Sequence, residues 1–410
     1  MPTSQPRPRY IWQHSAWPQL TWDAVVLAPA LDQARLEQGR LLGLLGAIGL
    51  EQAKAVQREL WVQEALATAS IEGEQLNLES LRSSVAHRLS LADAPGTDRS
   101  VEGLVQVMGD ALGNHSALLD LDRLCRWQSA LFPGGTSGIT RIAVGRVRDH
   151  ADAMQIVSGV LGREVVHYEA PPSAQITSET ERFLAWFERT RPATGMSPAI
   201  NGIARAALVH LWFESIHPFE DGNGRLGRAL ADMALAQDMR SQDAQASPAL
   251  VRVYGMAHQM LKTRSAYYDA LNHAQRLRGI APESGTIDAT PWVLWFVQTF
   301  TSACVASQAV VRDARDKGQF WLRAAQCQTN ERQRKVLERL LEAGHAGSGG
   351  GFLGGMTTDK YAKITGTSKA TATRDLADLI ANGLLRVEGL GKATRYAVNV
   401  PGWEQPSVKG

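Results

Sequence analysis

His217-Pro-Phe-Glu-Asp-Gly-Asn-Gly-Arg-Leu-Gly-Arg228 lies near the middle of a 410-residue chain and concentrates groups that handle phosphate. Upstream, Ile203, Ala207, Val209, Leu211, Phe213 and Ile216 recur at helical spacing and predict a buried helix over 199–216. Downstream, Leu226, Leu230, Met233, Ala234 and Leu235 open a second helix. The Gly222-Asn223-Gly224 turn therefore sits at a helix N-terminus. There, unsatisfied N–H groups and the helix dipole attract anions, and glycine lets the backbone come close to a ligand. Arg225 and Arg228, three apart, project on the side where a polyphosphate would lie. Asp221 offers a hard oxygen suited to Mg²⁺, and His217 a base of suitable pKa. Base, metal ligand, phosphate cradle and two arginines in one turn point to nucleotide-dependent group transfer.

The same run resembles the Fic family signature, His-x-Phe-x-(Asp/Glu)-Gly-Asn-Gly-Arg-x-x-Arg, at every fixed position. The resemblance implies transfer of AMP from ATP to a Ser, Thr or Tyr hydroxyl of a target protein. His217 would take the hydroxyl proton and Asp221 would hold Mg²⁺. Gly222, Asn223 and Gly224 would line the phosphate cradle, Arg225 and Arg228 would grip the distal phosphates, and Phe219 would pack inward. Upstream, Thr68-Ala-Ser-Ile-Glu72-Gly73 resembles the family's inhibitory motif, (Ser/Thr)-x-x-x-Glu-(Gly/Asn). Glu72 would then pair with Arg228 and keep it from ATP. A Glu-Gly pair that simply ends a helix on a glycine cap is the plainer alternative. Some Fic proteins use this glutamate to remove AMP, which the residues here also permit. Phosphate transfer is disfavoured, because the branch that performs it carries lysine where Gly224 stands. The resemblance covers roughly residues 10–320, with specificity only at 68–73 and 217–228.

Composition sets bounds. With 44% hydrophobic and 20% charged residues the chain reads as an ordinary globular protein, and a net charge of +2 gives no global pull toward nucleic acid or anionic membrane. Three scattered cysteines, Cys125, Cys304 and Cys327, form neither a metal set nor an even disulfide framework, so a reducing, cytoplasmic compartment is expected. Residues 292–311 contain no charge, but Gln298, Thr301, Ser302 and Gln308 are assigned one polar face, which argues against a membrane span.

In chain order, residues 10–23 hold four aromatics and are expected to staple onto a helical body, with partner binding the alternative. Val25 to Ala67 predicts helix. Ser137 to Ala170 turns to β-branched residues and glycine, and a hairpin around Gly159–Gly162 is expected. In the family this would be a flap beside the site that holds a target segment by strand pairing. Glu179 to Arg189 predicts a helix with Phe183, Trp186 and Phe187 in the core. His210 reads as a packing histidine, and Tyr267 and Tyr268 as core or as an adenosine-facing pair. Ser247-Pro is expected to begin another helical block.

Past about residue 320 a second unit is expected. It has a helix from Glu331 to Leu341, a glycine-rich insert at 344–355 and short helices from Thr357 and Thr367. A hairpin over 383–398 completes the order of a winged helix–turn–helix. Between Thr357 and Val400 seven Lys/Arg face four Asp/Glu. Ser368, Lys369, Thr371 and Arg374 would meet a DNA groove, with Lys392 and Arg395 at phosphates, unless the unit serves protein contacts. The expected fold is mainly α: a Fic helical core with a β-hairpin flap, plus a C-terminal winged helix. Expected domains are 1–110 with the inhibitory motif, 111–320 catalytic and 321–402 winged helix. Expected partners are ATP, a target protein that could be the chain itself, and DNA, with no membrane; a homodimer is left open.

Overall fold

Caps and apolar faces together decide where this chain is helical. The structure, a computed structural model, describes residues 9–89, 98–158, 163, 165–193, 198–242, 253–277, 285–344, 355–389 and 391–403. It divides into two compact units, one of residues 1–47 and 54–308, the other of residues 48–53 and 309–410.

The larger unit opens with β1 (Leu20–Thr21) and α1 (Ala24–Gly46), whose first N–H groups are accepted by the Asp23 carboxylate. After a break at residues 47–49 comes α2 (Leu50–Ile71). The single helical stretch expected from Val25 to Ala67 is thus two helices. Glycines at 43, 46 and 49 lower helix propensity where the chain breaks. Next come α3 (Leu78–Arg88), α4 (Arg99–Gly113) and α5 (Leu121–Leu131), capped by Asn77, Asp98 and Asp120 respectively. Two small antiparallel hairpins follow: β2 (Thr136–Ser137) with β3 (Thr140–Arg141), and β4 (Gln155–Ser158) with β5 (Val165–Glu169). The second pairs Gln155 with Glu169 and carries a bulge between Ile156 and Val157. It is the expected hairpin; residues 159–162 of its turn lie outside the described set.

α6 (Ser173–Arg189) starts earlier than Glu179 and buries both Phe183, which packs on Trp212 and Phe213 of α7 (Gly202–Ile216), and Phe187, under the Arg205 guanidinium of α7. Every residue of α7 is buried, as expected for a helix apolar around most of its circumference. Asn201 caps it by accepting the Ile203 N–H. α8 (Asn223–Gln242) returns against α7 across the motif turn. The unit closes with α9 (Met256–Lys262), α10 (Arg264–Ala274), β6 (Ile287–Asp288), parallel to β1, and the first part of α11 (Thr290–Ala324). The helical block expected from Ser247 falls outside the described residues until 253.

By length and composition α11 is the one helix among the described residues that could cross a membrane, and half of its most apolar stretch is buried inside the protein. Gln298 and Ser302 are exposed, but Gln308 is not on their face. It is buried and donates its amide to the Glu37 carboxylate, 2.8 Å away.

The aromatic segment behaves as a staple. Tyr10 packs edge-on against Tyr168, the Trp12 indole N–H donates to the Glu169 carbonyl at 2.7 Å, and the Trp17 indole N–H donates to Glu179.

The smaller unit has α12 (Glu331–Glu342), α13 (Thr358–Thr365), α14 (Lys369–Ala381) and a hairpin of β7 (Leu385–Glu388) with β8 (Arg395–Val398). Val336, Leu337, Tyr361, Leu376 and Leu379 centre its core. Thr357 and Ser368 cap α13 and α14 by accepting the N–H groups of Lys360 and Thr371. The glycine-rich stretch at 345–354 lies outside the described residues.

Candidate active site

The chain turns sharply at His217. It caps α7 with φ 51° and ψ 62°, the one non-glycine left-handed residue among those described. That conformation is uncommon for any residue with a Cβ and persists where the surroundings hold it. Arg148 holds it. Its guanidinium donates to the carbonyls of His217 (2.8 Å), Ile216 (3.4 Å) and Pro171 (2.6 Å) and to the Ser173 hydroxyl (3.0 Å). Its own N–H donates to the Pro218 carbonyl. A positive charge at the carbonyl end of α7 also suits the helix dipole. Downstream, Asn223 closes the turn. Its amide accepts the Phe219 N–H and donates to the Phe219 carbonyl, while the Phe219 ring is fully buried. Gly222 sits at φ 90°, where a Cβ would come within 2.9 Å of the Phe132 ring.

On the other side of the turn, the first residues of α8 face the end of α2. That end is a Schellman motif. The N–H of Glu74 donates to the Ala69 carbonyl, the N–H of Gly73 to the Ser70 carbonyl, and Gly73 has φ 82°. The glycine cap and the inhibitory-motif spacing are therefore one structure, because the turn is what aims Glu72. Its carboxylate accepts from Arg228 Nη2 at 2.7 Å. Arg228 also donates from Nε to the Thr68 hydroxyl (2.7 Å) and from Nη2 to the Thr68 carbonyl (3.1 Å). The Glu72 oxygen rests on Gly224 so closely that a Cβ there would lie 2.3 Å from it. An oxyanion is already seated at the start of α8, where the bare backbone leaves room for one.

Arg225 is buried and pairs with a different acid from Arg228. It donates from Nη1 to both oxygens of Glu74, at 2.8 and 3.0 Å, and its guanidinium stands 4.8 Å from the Phe132 ring centre. Asp221 points outward, 3.8 Å from Arg225, and accepts from the Ser137 hydroxyl and the Gly222 N–H. Every expected site residue is thus gathered in one place: His217, Asp221, Gly222, Asn223, Gly224, Arg225, Arg228 and Glu72. Arg148 and Glu74 join them without having been read from the sequence. Several buried polar atoms there have no hydrogen-bond partner among the described residues: His217 Nδ1, Glu214 Oε1, Arg225 Nε and Arg228 Nη1. Such atoms gather where a polar ligand is meant to bind.

Burial governs the charges. It lowers the His217 pKa to about 4, with Arg148 adding to the effect, so the imidazole is neutral and able to accept a proton at pH 7. Glu214, one turn before, is buried beside Glu72, and its pKa is pushed up to about 8. Burial works against the charge on Arg228, but Glu72 outweighs it and the guanidinium pKa is raised. The signs give a stability test. Unfolded, Glu214 ionises near its ordinary 4.5; folded, it holds its proton to about 8. Its contribution is full below pH 4.5 and is lost as pH rises through 8. His217 and His210, whose pKa burial lowers to about 3, act oppositely and lose stability as pH falls below 6.5. Glu214→Gln should therefore remove the fall in melting temperature between pH 6.5 and 8. An unchanged alkaline limb would show that Glu214 is not the group responsible.

His210 is a packing histidine, as expected. It lies between the Tyr267 and Trp292 rings, with Nε2 3.4 Å from the Tyr267 hydroxyl. Tyr267 is buried in that cluster, and Tyr268 donates to the Ile71 carbonyl at the end of α2, where Arg264 also donates. At the far side, Arg276 reaches the carbonyls of Val166 and His167 on β5.

Comparison with known proteins adds two family matches. Residues 118–235 match the Fic/DOC family, and residues 10–91 match a domain of unknown function, DUF4172. The chain is 24% identical over 215 residues to the "Protein adenylyltransferase Fic" of Culex quinquefasciatus, which covers 50% of this chain and 38% of that protein. It is 35% identical over 65 residues to a "Uridine 5'-monophosphate transferase" of Xanthomonas campestris, covering 16% of this chain and 12% of that one. The chain thus spans little over a third of that adenylyltransferase's length. A solved Fic family protein from Desulfovibrio desulfuricans superposes with TM-score 0.48 at 19% identity, over 90% of this chain and 96% of that one. With the intact His217–Arg228 turn inside the matched segment, residues 118–235 of this chain form a Fic domain.

Proposed function

We propose that this protein transfers AMP from ATP to a hydroxyl of a protein, and that Glu72 holds it inactive. The observation that carries the reading is the oxyanion seat at the start of α8, where the Glu72 carboxylate rests on Gly224 and pairs with Arg228. A phosphate fits a seat that takes a carboxylate. In the reaction the target oxygen bonds to the α-phosphorus and the bond to the β-phosphate oxygen breaks. Pyrophosphate leaves, and His217 takes the hydroxyl proton. Neutral at pH 7, His217 is ready to accept it. Gly222 and Gly224 keep the backbone open to the phosphates, and Arg225 and Arg228 offset their charge. Asp221 would hold Mg²⁺ together with phosphate oxygens, the arrangement that ion prefers. Its outward carboxylate suits that role, and no group of three or more metal-type side chains occurs among the described residues. When bound, the ion would supply positive charge that offsets part of the phosphate charge.

While Glu72 pairs with Arg228, the arginine is withheld from the nucleotide and its seat is filled. The β4–β5 hairpin is the proposed place for a target segment, held by strand pairing. The direct experiment is incubation with Mg²⁺ and nucleotide labelled at the α- or the γ-phosphate, with cell lysate or alone. Label retained on protein from the α-position only supports nucleotidyl transfer. UTP belongs in the same series, since one relative is named for UMP transfer. Label from neither position, even with Glu72 replaced, would end the transferase reading and turn attention to AMP removal from a modified protein. The setting proposed is cytoplasmic.

A second reading concerns the smaller unit as a winged helix that binds DNA. The exposed residues of α14 are Lys369, Ala370, Thr373, Arg374, Ala377, Asp378 and Ala381, with Ser368 exposed at its cap, while Asp375 is drawn inward by Arg332 and Tyr361. A small, basic face at the start of the third helix fits a groove-reading role. Lys369 is paired with Asp359 across the surface, a contact DNA would have to replace. The side chain of Lys392 lies outside the described set. Replacing Lys369 and Arg374 together by Ala should abolish salt-sensitive binding to duplex DNA and leave AMP transfer untouched. Absence of DNA binding by the unaltered protein at low salt would favour protein contacts for this unit.

A further inference from the structure

We propose that Glu74 is a specificity-determining residue of the nucleotide site: with Glu72 it forms a two-pronged internal counter-ion, displaced in full only by a ligand bearing two separately placed anionic groups. The inference rests on the phosphate-site reading above and concerns which nucleotides that site admits.

The two prongs come from one turn. Glu72 occupies the cap position of α2 and Glu74 the second residue beyond it, with Gly73 between them at φ 82°. The Schellman hydrogen bonds fix both, and Arg264 and Tyr268 anchor the same turn through the Ile71 carbonyl. Glu72 engages Arg228 and Glu74 engages Arg225, so each arginine of the motif has its own carboxylate. The Arg225 contact is bidentate on the carboxylate side, and the arginine side chain is 5% exposed. Two acids at the carbonyl end of a helix are unfavourable against its dipole. Their placement is sustained by the two guanidinium groups and by the cap from Arg264. Both arginines keep a buried nitrogen without a partner, Nε on Arg225 and Nη1 on Arg228. Each therefore retains a donor for an incoming oxyanion even while its carboxylate is in place.

A nucleoside triphosphate carries enough phosphoryl groups to satisfy both arginines once the carboxylates withdraw. A monophosphate brings a single phosphoryl group and on this proposal leaves at least one guanidinium paired with its glutamate. Removing Glu72 alone would free Arg228 but leave Arg225 engaged. Release by one substitution would then be incomplete.

The test is a double-mutant cycle by calorimetry with Mg²⁺, using ATP, inorganic tripolyphosphate and AMP as probes. The proteins are the unaltered chain, Glu72→Gln, Glu74→Gln, the double variant, and Glu79→Gln as a control for loss of one nearby exposed charge. We expect Glu74→Gln to tighten ATP and tripolyphosphate by about three- to tenfold, discounted for a partly exposed pair, and to leave AMP unchanged. The double variant should bind tighter than Glu72→Gln. If Glu72→Gln tightens ATP while Glu74→Gln does not, the proposal falls and the function above stands. If Glu74→Gln tightens all three probes equally, or no more than Glu79→Gln does, Glu74 acts as a diffuse charge and the proposal falls. If no variant binds ATP or tripolyphosphate, the phosphate-site reading and the proposal fail together. A merely structural role predicts a lower melting temperature without tighter binding, which also overturns it.

Discussion

His217→Ala should lower the transfer rate by about 10²- to 10⁴-fold, the contribution typical of a positioned general base. The size follows from where the imidazole sits. Burial and Arg148 keep it neutral, so at pH 7 almost every molecule presents the accepting form. The backbone is locked by Arg148 from one side and Asn223 from the other, so the ring is pre-positioned. The phosphate seat is built from other residues, so ATP affinity should change little. Loss of rate with unchanged affinity would separate base from binding residue. A variant that labels a target at the unaltered rate would remove His217 from the mechanism.

Glu72→Gly should act in the opposite direction, raising labelling by about tenfold or more. A hydrogen bond between charged groups contributes roughly 1.5–3 kcal/mol when largely shielded, and each 1.4 kcal/mol is tenfold. The Glu72 side chain is 31% exposed, which places the effect toward the lower end. The arginine does not collapse when its partner goes, because Thr68 still holds it from Nε and Nη2. A second effect supports the first: Glu72 helps to keep Glu214 protonated, so its removal should lower the Glu214 pKa from about 8. Label that appears in Glu72→Gly but not in Glu72→Gly/His217→Ala would tie release and chemistry together. An unchanged rate in Glu72→Gly would sink the inhibitory model.

The motif turn was legible because each position answers a separate local demand. Gly222 needs positive φ, Gly224 needs close approach, and Asn223 must bond both atoms of the Phe219 backbone. Glu72 was legible because helix end and acid lie within one short pattern. Arg148 was not: it stands 69 residues before His217, and its partners are backbone carbonyls, which leave no trace in residue identity. Glu74 was hidden in the same way. It sits beside the inhibitory motif, yet its partner is 151 residues away, and an ion pair across that distance has no sequence period. The misjudged face of α11 has a simpler cause. Gln308 is polar by composition but buried by its bond to Glu37, so polarity was mistaken for exposure.

The β4–β5 hairpin has a consequence for geometry. The carbonyls of Val166, His167 and Glu169 on β5 are already engaged by Arg276 and Trp12. Among the described residues β4 pairs with β5 alone. The ribbon is therefore one-sided: it can grow by a third strand only along β4, and the N-terminal tryptophan acts as a stopper on the other edge. A guest chain on the proposed flap would have a single lane of approach, its polarity and register set against Gln155–Ser158.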